Sequence, residues 1–238
     1  MKIGITERGD AALDMSWVNK MDTVDGAILI TKAVSSKEFQ NAVKEFKDKV
    51  IIHATITGYG GTPIEPNVPS HEETMDSLYE LESFMPEGHV VLRIDPVIPN
   101  DAGRTWIPYL INKLPTSIKR VRFSIIDNYK HLSARGLELP WKTFHAPPQL
   151  ISNVVNDFMK FSHTHSIECC GEDHPLIPMV WKKGCISDWD LILLGLDFMQ
   201  VPKVTSNQRK SCRCLSVKTE LLTRRKQCRH GCLYCYWR

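Results

Sequence analysis

The chain has 238 residues, 42% of them hydrophobic and 24% charged. That apolar content supports a buried core and excludes general disorder, and the length suits one large domain or two small ones. No run approaches the roughly 18 apolar residues of a membrane span, and the opening Met1-Lys-Ile-Gly-Ile-Thr lacks the apolar stretch of a secretory signal, so a soluble, cytoplasmic protein without membrane contact is expected.

Strands and helices alternate along the chain. Ile3–Ile5 is a weak strand and Ala27–Ile30 a stronger one. Ser35-Ser-Lys-Glu38 reads as a capping box, followed by Phe39, Val43 and Phe46 on one helical face. After the strand Val50–Thr57 comes a second box, Ser70-His-Glu-Glu73, with Met75, Leu78 and Leu81 behind it. His89–Ile94 and Val121–Ile126 are further strands. Pro148 suits the first turn of a helix that carries Ile151, Val154, Val155 and Phe158. Ser166–Cys170 is the next strand, Ser187 caps a helix through Leu191–Leu196, and Leu215–Lys218 is a weak final strand. The strands are rich in Val, Ile and Thr and often apolar on both faces, as buried parallel strands are. The expected fold is therefore α/β, a complete or partial β/α barrel, with a doubly wound open sheet as the alternative.

Charge and cysteine set the last segment apart. Residues 203–238 hold ten Lys or Arg and one acid, Glu220, whereas 1–202 carry an excess of acids. The chain is read as a body, 1–202, and a basic cysteine-rich segment, 203–238, that packs on it without a clear linker. Such a segment points to contact with phosphate or nucleic acid. Thiolates around a metal also call for nearby positive charge, so the basic residues have a second explanation.

Five of the eight cysteines fall in the last 27 residues. Clustered cysteines in a cytosolic chain point to metal or redox chemistry. Cys228, Cys232 and Cys235 have Cys-x3-Cys-x2-Cys spacing. Three such thiolates can ligate three irons of a 4Fe–4S cube and leave the fourth open to a small chelating ligand. S-adenosylmethionine (SAM) is such a ligand, and its reductive cleavage gives a 5′-deoxyadenosyl radical that abstracts hydrogen from a substrate. A zinc knuckle is the competing reading of the same spacing.

The triad, with Tyr234 just before its third cysteine, resembles the radical SAM signature, in which that aromatic lies beside the adenine. The whole chain resembles a largely uncharacterised family whose triad is C-terminal. The matching blocks are Thr57-Gly-Tyr-Gly60, Ile64-Glu-Pro-Asn-Val-Pro69, Leu92-Arg-Ile-Asp-Pro96, Ser124-Ile-Ile-Asp127 and Cys228-Arg-His-Gly-Cys-Leu-Tyr-Cys-Tyr236. Thr31-Lys32 matches too, and Arg8-Gly-Asp10 with Trp17 echoes the family's opening. The Glu-Pro and Asp-Pro blocks are distantly similar to spore photoproduct lyase and DNA repair photolyase-like proteins. The resemblance implies a barrel in circularly permuted order and a small electron donor such as flavodoxin or ferredoxin. It also implies a second site, an auxiliary iron–sulfur cluster or a zinc ion, from Cys170, Cys185, Cys212 and Cys214. Cys169 is then spare, although its neighbour Cys170 competes for the same assignment.

Polar residues at strand ends are the remaining candidates, because barrel chemistry gathers there. Glu65 is a candidate for the SAM ammonium or the substrate, and Thr57, Ser124 and Asp127 for cofactor contacts. Arg93 can fork onto a carboxylate or phosphate, or else pair internally with Asp95. Tyr59 is a hydrogen relay, a stacking surface or a packing residue. Arg8 and Asp10 either reach the same rim or form a surface salt bridge. His163 and His165 would share one face if they lay on a strand, but no third metal ligand accompanies them. His230 sits inside the cysteine loop, where it can tune a cluster, although exposure to solvent is the expectation. Arg224-Arg-Lys226 hints at a polyanion, so the substrate class includes a nucleobase or nucleic acid that is repaired or modified. The alternatives to a radical enzyme are a zinc-containing nucleic-acid-binding module and an iron–sulfur electron-transfer or sensing protein.

Overall fold

Among the described residues seven parallel strands form one sheet, with runs rich in Val and Ile at its centre: β1 Ile3–Ile5, β2 Gly26–Thr31, β3 Val50–Thr55, β4 Val90–Val97, β5 Arg120–Ile125, β6 Ser166–Cys169 and β7 Lys218–Glu220. The computed structural model describes residues 1–201, 211–223 and 228–235, so Arg224-Arg-Lys226 lies outside the described residues. In space the order is β6-β5-β4-β3-β2-β1-β7. Parallel neighbours need long crossovers, and helices α1 Lys37–Glu45, α2 His71–Glu82, α3 Asp101–Asn112 and α5 Pro148–Met159 supply them. A short α4, Lys130–Ala134, precedes α5, and α6, Asp188–Leu193, follows β6. Among the described residues no helix is long and apolar enough to cross a membrane.

The sheet separates two cores. Side chains alternate between its faces. On one face Leu29, Ile52, Leu92, Val121, Phe123 and Cys169 pack against the apolar stripes of the crossover helices, including Phe39, Leu78, Ile107 and Phe158. On the other, Ile3, Ile5, Ile28, Ile30, Ile51 and Val91 are covered by Ile186, Leu191 and Val201. Among the described residues no helix that joins neighbouring strands lies on that second face; residues 185–201 and 212–217 lie over it.

The α/β fold with a parallel sheet is as expected, but a complete barrel is not formed: the sheet is open, with β6 and β7 at its edges. These edge strands have four and three residues. Among the described residues the outer side of β6 is met by an isolated bridge between Cys169 and Lys182. The last segment is joined to the body through the sheet itself, since β7 pairs with β1. The final strand is Lys218–Glu220, later in the chain than Leu215–Lys218.

Local signals shift in three other places. Ser36, not Ser35, caps α1 and accepts from the Phe39 amide. His163 and His165 precede β6 in a turn, so strand alternation does not bring their rings together. The sequence reading misses α3, which contains Gly103 and Pro108, both poor helix formers. The Asn100 side chain caps it by accepting from the Gly103 amide at 2.7 Å. Glycine is required there, since a β-carbon would fall on the Ile98 carbonyl and 2.7 Å from the Tyr59 hydroxyl. We expect Gly103→Ala to cost about 1–3 kcal/mol through overpacking, read as a Tm lower by about 2–4 °C per kcal/mol in thermal unfolding followed by circular dichroism. An unchanged Tm would show that the turn before α3 yields freely.

Candidate active site

A cavity of about 230 Å³ opens at the C-terminal ends of the strands, on the face without crossover helices. Ile30, Thr55, Arg93 and Ser124 reach it from β2, β3, β4 and β5. This is where open α/β sheets offer a crevice. Seven of the eight cysteines line it. Cys169 does not; its side chain lies in the helix-facing core, and burial pushes its thiol pKa well up.

The cysteine loop 228–235 leaves β7 and is pinned by two buried carboxylates. Asp10, in the loop after β1, accepts at Oδ1 from the Ala12 amide (2.9 Å) and the Thr31 hydroxyl (2.7 Å). At Oδ2 it accepts from the Lys32 amide (2.7 Å) and His230 Nε2 (2.8 Å). His230 Nδ1 lies 3.1 Å from the Asn67 carbonyl. Both ring nitrogens therefore face acceptors, the arrangement an imidazolium satisfies. His230 is 2% exposed, which corrects the expectation that it faces solvent. Burial alone would raise the Asp10 pKa, but hydrogen bonding and charge from His230 outweigh it and hold it low. Burial opposes a charged His230, and Asp10 more than offsets this and raises its pKa.

Glu65 is the second carboxylate. Its Oε1 accepts from the Thr57 hydroxyl at 2.6 Å, from Lys32 Nζ at 2.9 Å and from the Tyr234 hydroxyl. Burial would raise its pKa, yet Lys32 and the two hydroxyls hold it below the usual range. Burial, then Glu65, pushes the Tyr234 phenol well up, so it stays a donor. Glu65 and Thr57 thus stand off the cavity wall, while the Tyr234 ring forms part of it.

Among the other predicted residues, the structure brings Arg93, Asp95, Ser124 and Asp127 to the cavity. Arg93 pairs with Asp95, which also accepts from Ser124 Oγ at 2.7 Å. His145 Nδ1 lies 2.8 Å from Asp127 Oδ1. Tyr59 and Arg8 are not brought to the wall. The Tyr59 hydroxyl is buried without a hydrogen-bond partner among the described residues, and burial raises its pKa to about 12. The Arg8 amide donates to Glu220 on β7 at 3.1 Å.

Sequence reasoning overlooks the groups that clasp the loop from outside. Asn67 Nδ2 donates to the Arg229 carbonyl at 2.9 Å. His131 lies 3.3 Å from the Tyr234 carbonyl, and Arg135 donates to the carbonyls of Leu233 and Cys235. Asn67 lay within a matching block, but nothing in the sequence marks His131 or Arg135.

The four remaining lining cysteines lie close together. Cys170 and Cys185 bring their sulfurs to 3.3 Å, the Cys185 amide donates to Cys214 Sγ at 3.1 Å, and Cys212 is hydrogen-bonded to Cys214. Among the described residues no three His, Cys, Asp or Glu side chains surround one point as a single bound ion requires. The donor set itself is soft and suits thiophilic metals or clusters.

The Asp10–His230 pair sets a pH window. His230, with its pKa raised from 6.5, contributes fully below that value and loses its contribution as pH rises through the folded value. Asp10, lowered from 3.8, contributes above that value and loses its contribution in acid. In urea unfolding of the metal-free chain, His230→Gln should be most destabilising between about pH 4 and about pH 6.5, with the deficit shrinking at higher pH. A deficit independent of pH would mean that the pair is not ionised.

No curated protein and no solved structure matches this chain. A family model does match, over residues 13–237, nearly the whole of the sheet and the cysteine loop. The chain therefore belongs to the family described as Domain of unknown function (DUF1848).

Proposed function

We propose that this chain is a radical SAM-type enzyme with its cluster loop at the end of the sequence. The observation that carries the reading is the placing of the triad. Cys228, Cys232 and Cys235 follow an edge strand of a parallel sheet and open, with Tyr234, onto a cavity at the strand ends. Counted from β7, the spatial order runs β7, β1, then β2 through β6 without a break. That order supports a circularly permuted partial barrel whose first strand is β7. Cys228, Cys232 and Cys235 would hold a 4Fe–4S cluster, and that cluster would supply the electron for reductive cleavage of SAM.

The chain's own residues bind, orient and shield. Asp10 holds His230, and through it the loop between Cys228 and Cys232. Glu65 takes the Tyr234 hydroxyl, which leaves the ring as a wall for the adenine. Lys32 neutralises Glu65, so that carboxylate is a brace and not a free ligand for the SAM ammonium. Arg93, Asp95 and Ser124 form a polar floor for substrate on the cavity wall. Cys170, Cys185, Cys212 and Cys214 hold a second metal centre, an iron–sulfur cluster or zinc. The basic excess of 203–238 favours a nucleotide or nucleic acid as substrate, with a flavodoxin or ferredoxin as electron donor.

Anaerobic iron, sulfide and zinc analysis tests the metal content. Wild type should hold about eight irons, falling to about four when Cys228, Cys232 and Cys235 are all changed to Ala. About four irons with one zinc would keep the enzyme and make the second site structural. With SAM and a reductant, reconstituted wild type should release methionine and 5′-deoxyadenosine, and Cys232→Ala should abolish both. Zinc alone, with no SAM cleavage, would overturn the proposal and leave a zinc-containing nucleic-acid-binding module.

A further inference from the structure

Beneath the covering segment lies a set of charges that the proposed reaction does not use. Arg120 and Arg122 are two apart on β5, so both side chains leave the same face. Glu168 on β6 is in register with Arg122. Asp190 of α6 descends onto them from the covering segment, and all four residues are buried. Arg120 donates to Glu168 Oε1 at 2.9 Å and to Asp190 Oδ1 at 2.6 Å. Arg122 donates to Glu168 Oε2 from Nε at 2.8 Å and also from Nη2, which stands 3.7 Å from Asp190. The charges cancel. His53 adds none, since its Nε2 faces Arg122 Nη1 at 3.2 Å, and burial, then that guanidinium, hold its pKa well below the usual value.

A buried ion set is costly, and apolar residues of similar volume would often hold two layers together as well. What the ions supply here is direction. Glu168 is two residues before Cys170, and Asp190 is five after Cys185. Asp190 also accepts from the amide and hydroxyl of Ser187, at 2.8 and 2.7 Å, which fixes the chain just beyond Cys185. Arg122 Nη1 donates directly to the Cys185 carbonyl at 3.1 Å. One planar fork is thus joined to both segments whose thiols stand 3.3 Å apart.

We infer that Arg122 is a positioning residue of the four-cysteine site: its fork fixes where Cys170 and Cys185 present their thiols, and so how firmly the site keeps its metal. The inference rests on the reading of Cys170, Cys185, Cys212 and Cys214 as a metal centre. Because the network is already neutral, the guanidinium acts through geometry and not through spare charge. A lysine keeps the charge and loses the fork.

The test uses the full chain with Cys228, Cys232 and Cys235 changed to Ala, so that the second site alone can hold metal. Iron and zinc are counted after anaerobic purification, and release to EDTA is timed beside circular dichroism and Tm. Arg122→Gln should release metal roughly 10–100-fold faster than the parent, the usual effect of losing a group that orients ligands. Arg122→Lys should recover most of the Tm yet still release metal roughly tenfold faster. Arg104→Gln, which breaks the separate Arg104–Asp157 pair on the helix side, should lower Tm without changing release. If Arg122→Gln does not fold, the lysine variant carries the comparison. Release from Arg122→Lys at the parental rate would overturn the inference alone. A parent with neither iron nor zinc would overturn the second-site reading, and the inference with it.

Discussion

The cysteine loop is held by groups other than its thiols: two buried carboxylates, which meet at one residue. Lys32 gives its backbone amide to Asp10 and its ammonium to Glu65. Asp10 takes His230 and Glu65 takes Tyr234. The end of β2 is thus a strut for both ends of the cysteine loop. A carboxylate buried without partners would take up a proton, and its hold on the loop would weaken. Each of these two has enough donors to stay ionised, so the contacts that satisfy the carboxylates also fix the loop.

The strut needs β1 and β2 side by side, and that depends on the strand order. Asp10 follows β1, Thr31 ends β2, and the two strands are paired in parallel register. β7 pairs with the other edge of β1 and delivers the last segment to the same end of the sheet. Leu221, just after β7, packs over Gly4, where a β-carbon would meet its side chain at 2.4 to 3.0 Å. The glycine in the middle of β1 lets the terminal segment lie against the strand, so the register of β1 and the placing of the cysteines are one constraint.

The strands were legible because Val, Ile and Thr runs of that length admit little else, and the helices because apolar residues recur at helical spacing behind Ser caps. Helix α3 was not, since Gly103 and Pro108 oppose it locally and packing of Ile107, Leu110 and Ile111 overrides them. Barrel closure was not legible either, because strand count does not say whether edges meet. In the candidate site the triad was plain from spacing, and alternation along β6 separates Cys169 from Cys170 once the strand's facing is known. Asp10 and His230 lie 220 residues apart, and no local pattern predicts their pairing. The Arg120–Arg122 spacing was an available signal, since two cations on one face of an otherwise apolar strand require a buried partner.

The cavity's charges bear on what it can select. Each charged side chain on its wall has a described partner: Glu7 with Lys218, Asp10 with His230, Lys32 with Glu65, Arg93 with Asp95, and Asp127 with His145. A ligand entering the floor must replace the hydrogen bonds that Arg93 and Asp95 make to each other, which favours a group that offers both a donor and an acceptor. A nucleobase edge and an amide both meet that demand, whereas a bare phosphate meets half of it. Tyr129 and Tyr234 add aromatic surface to the wall. On the proposed reading, the basic excess of the last segment would act on approach, as long-range attraction weakened by salt. On the proposed reading, discrimination inside the cavity would fall to that paired hydrogen bonding and to stacking.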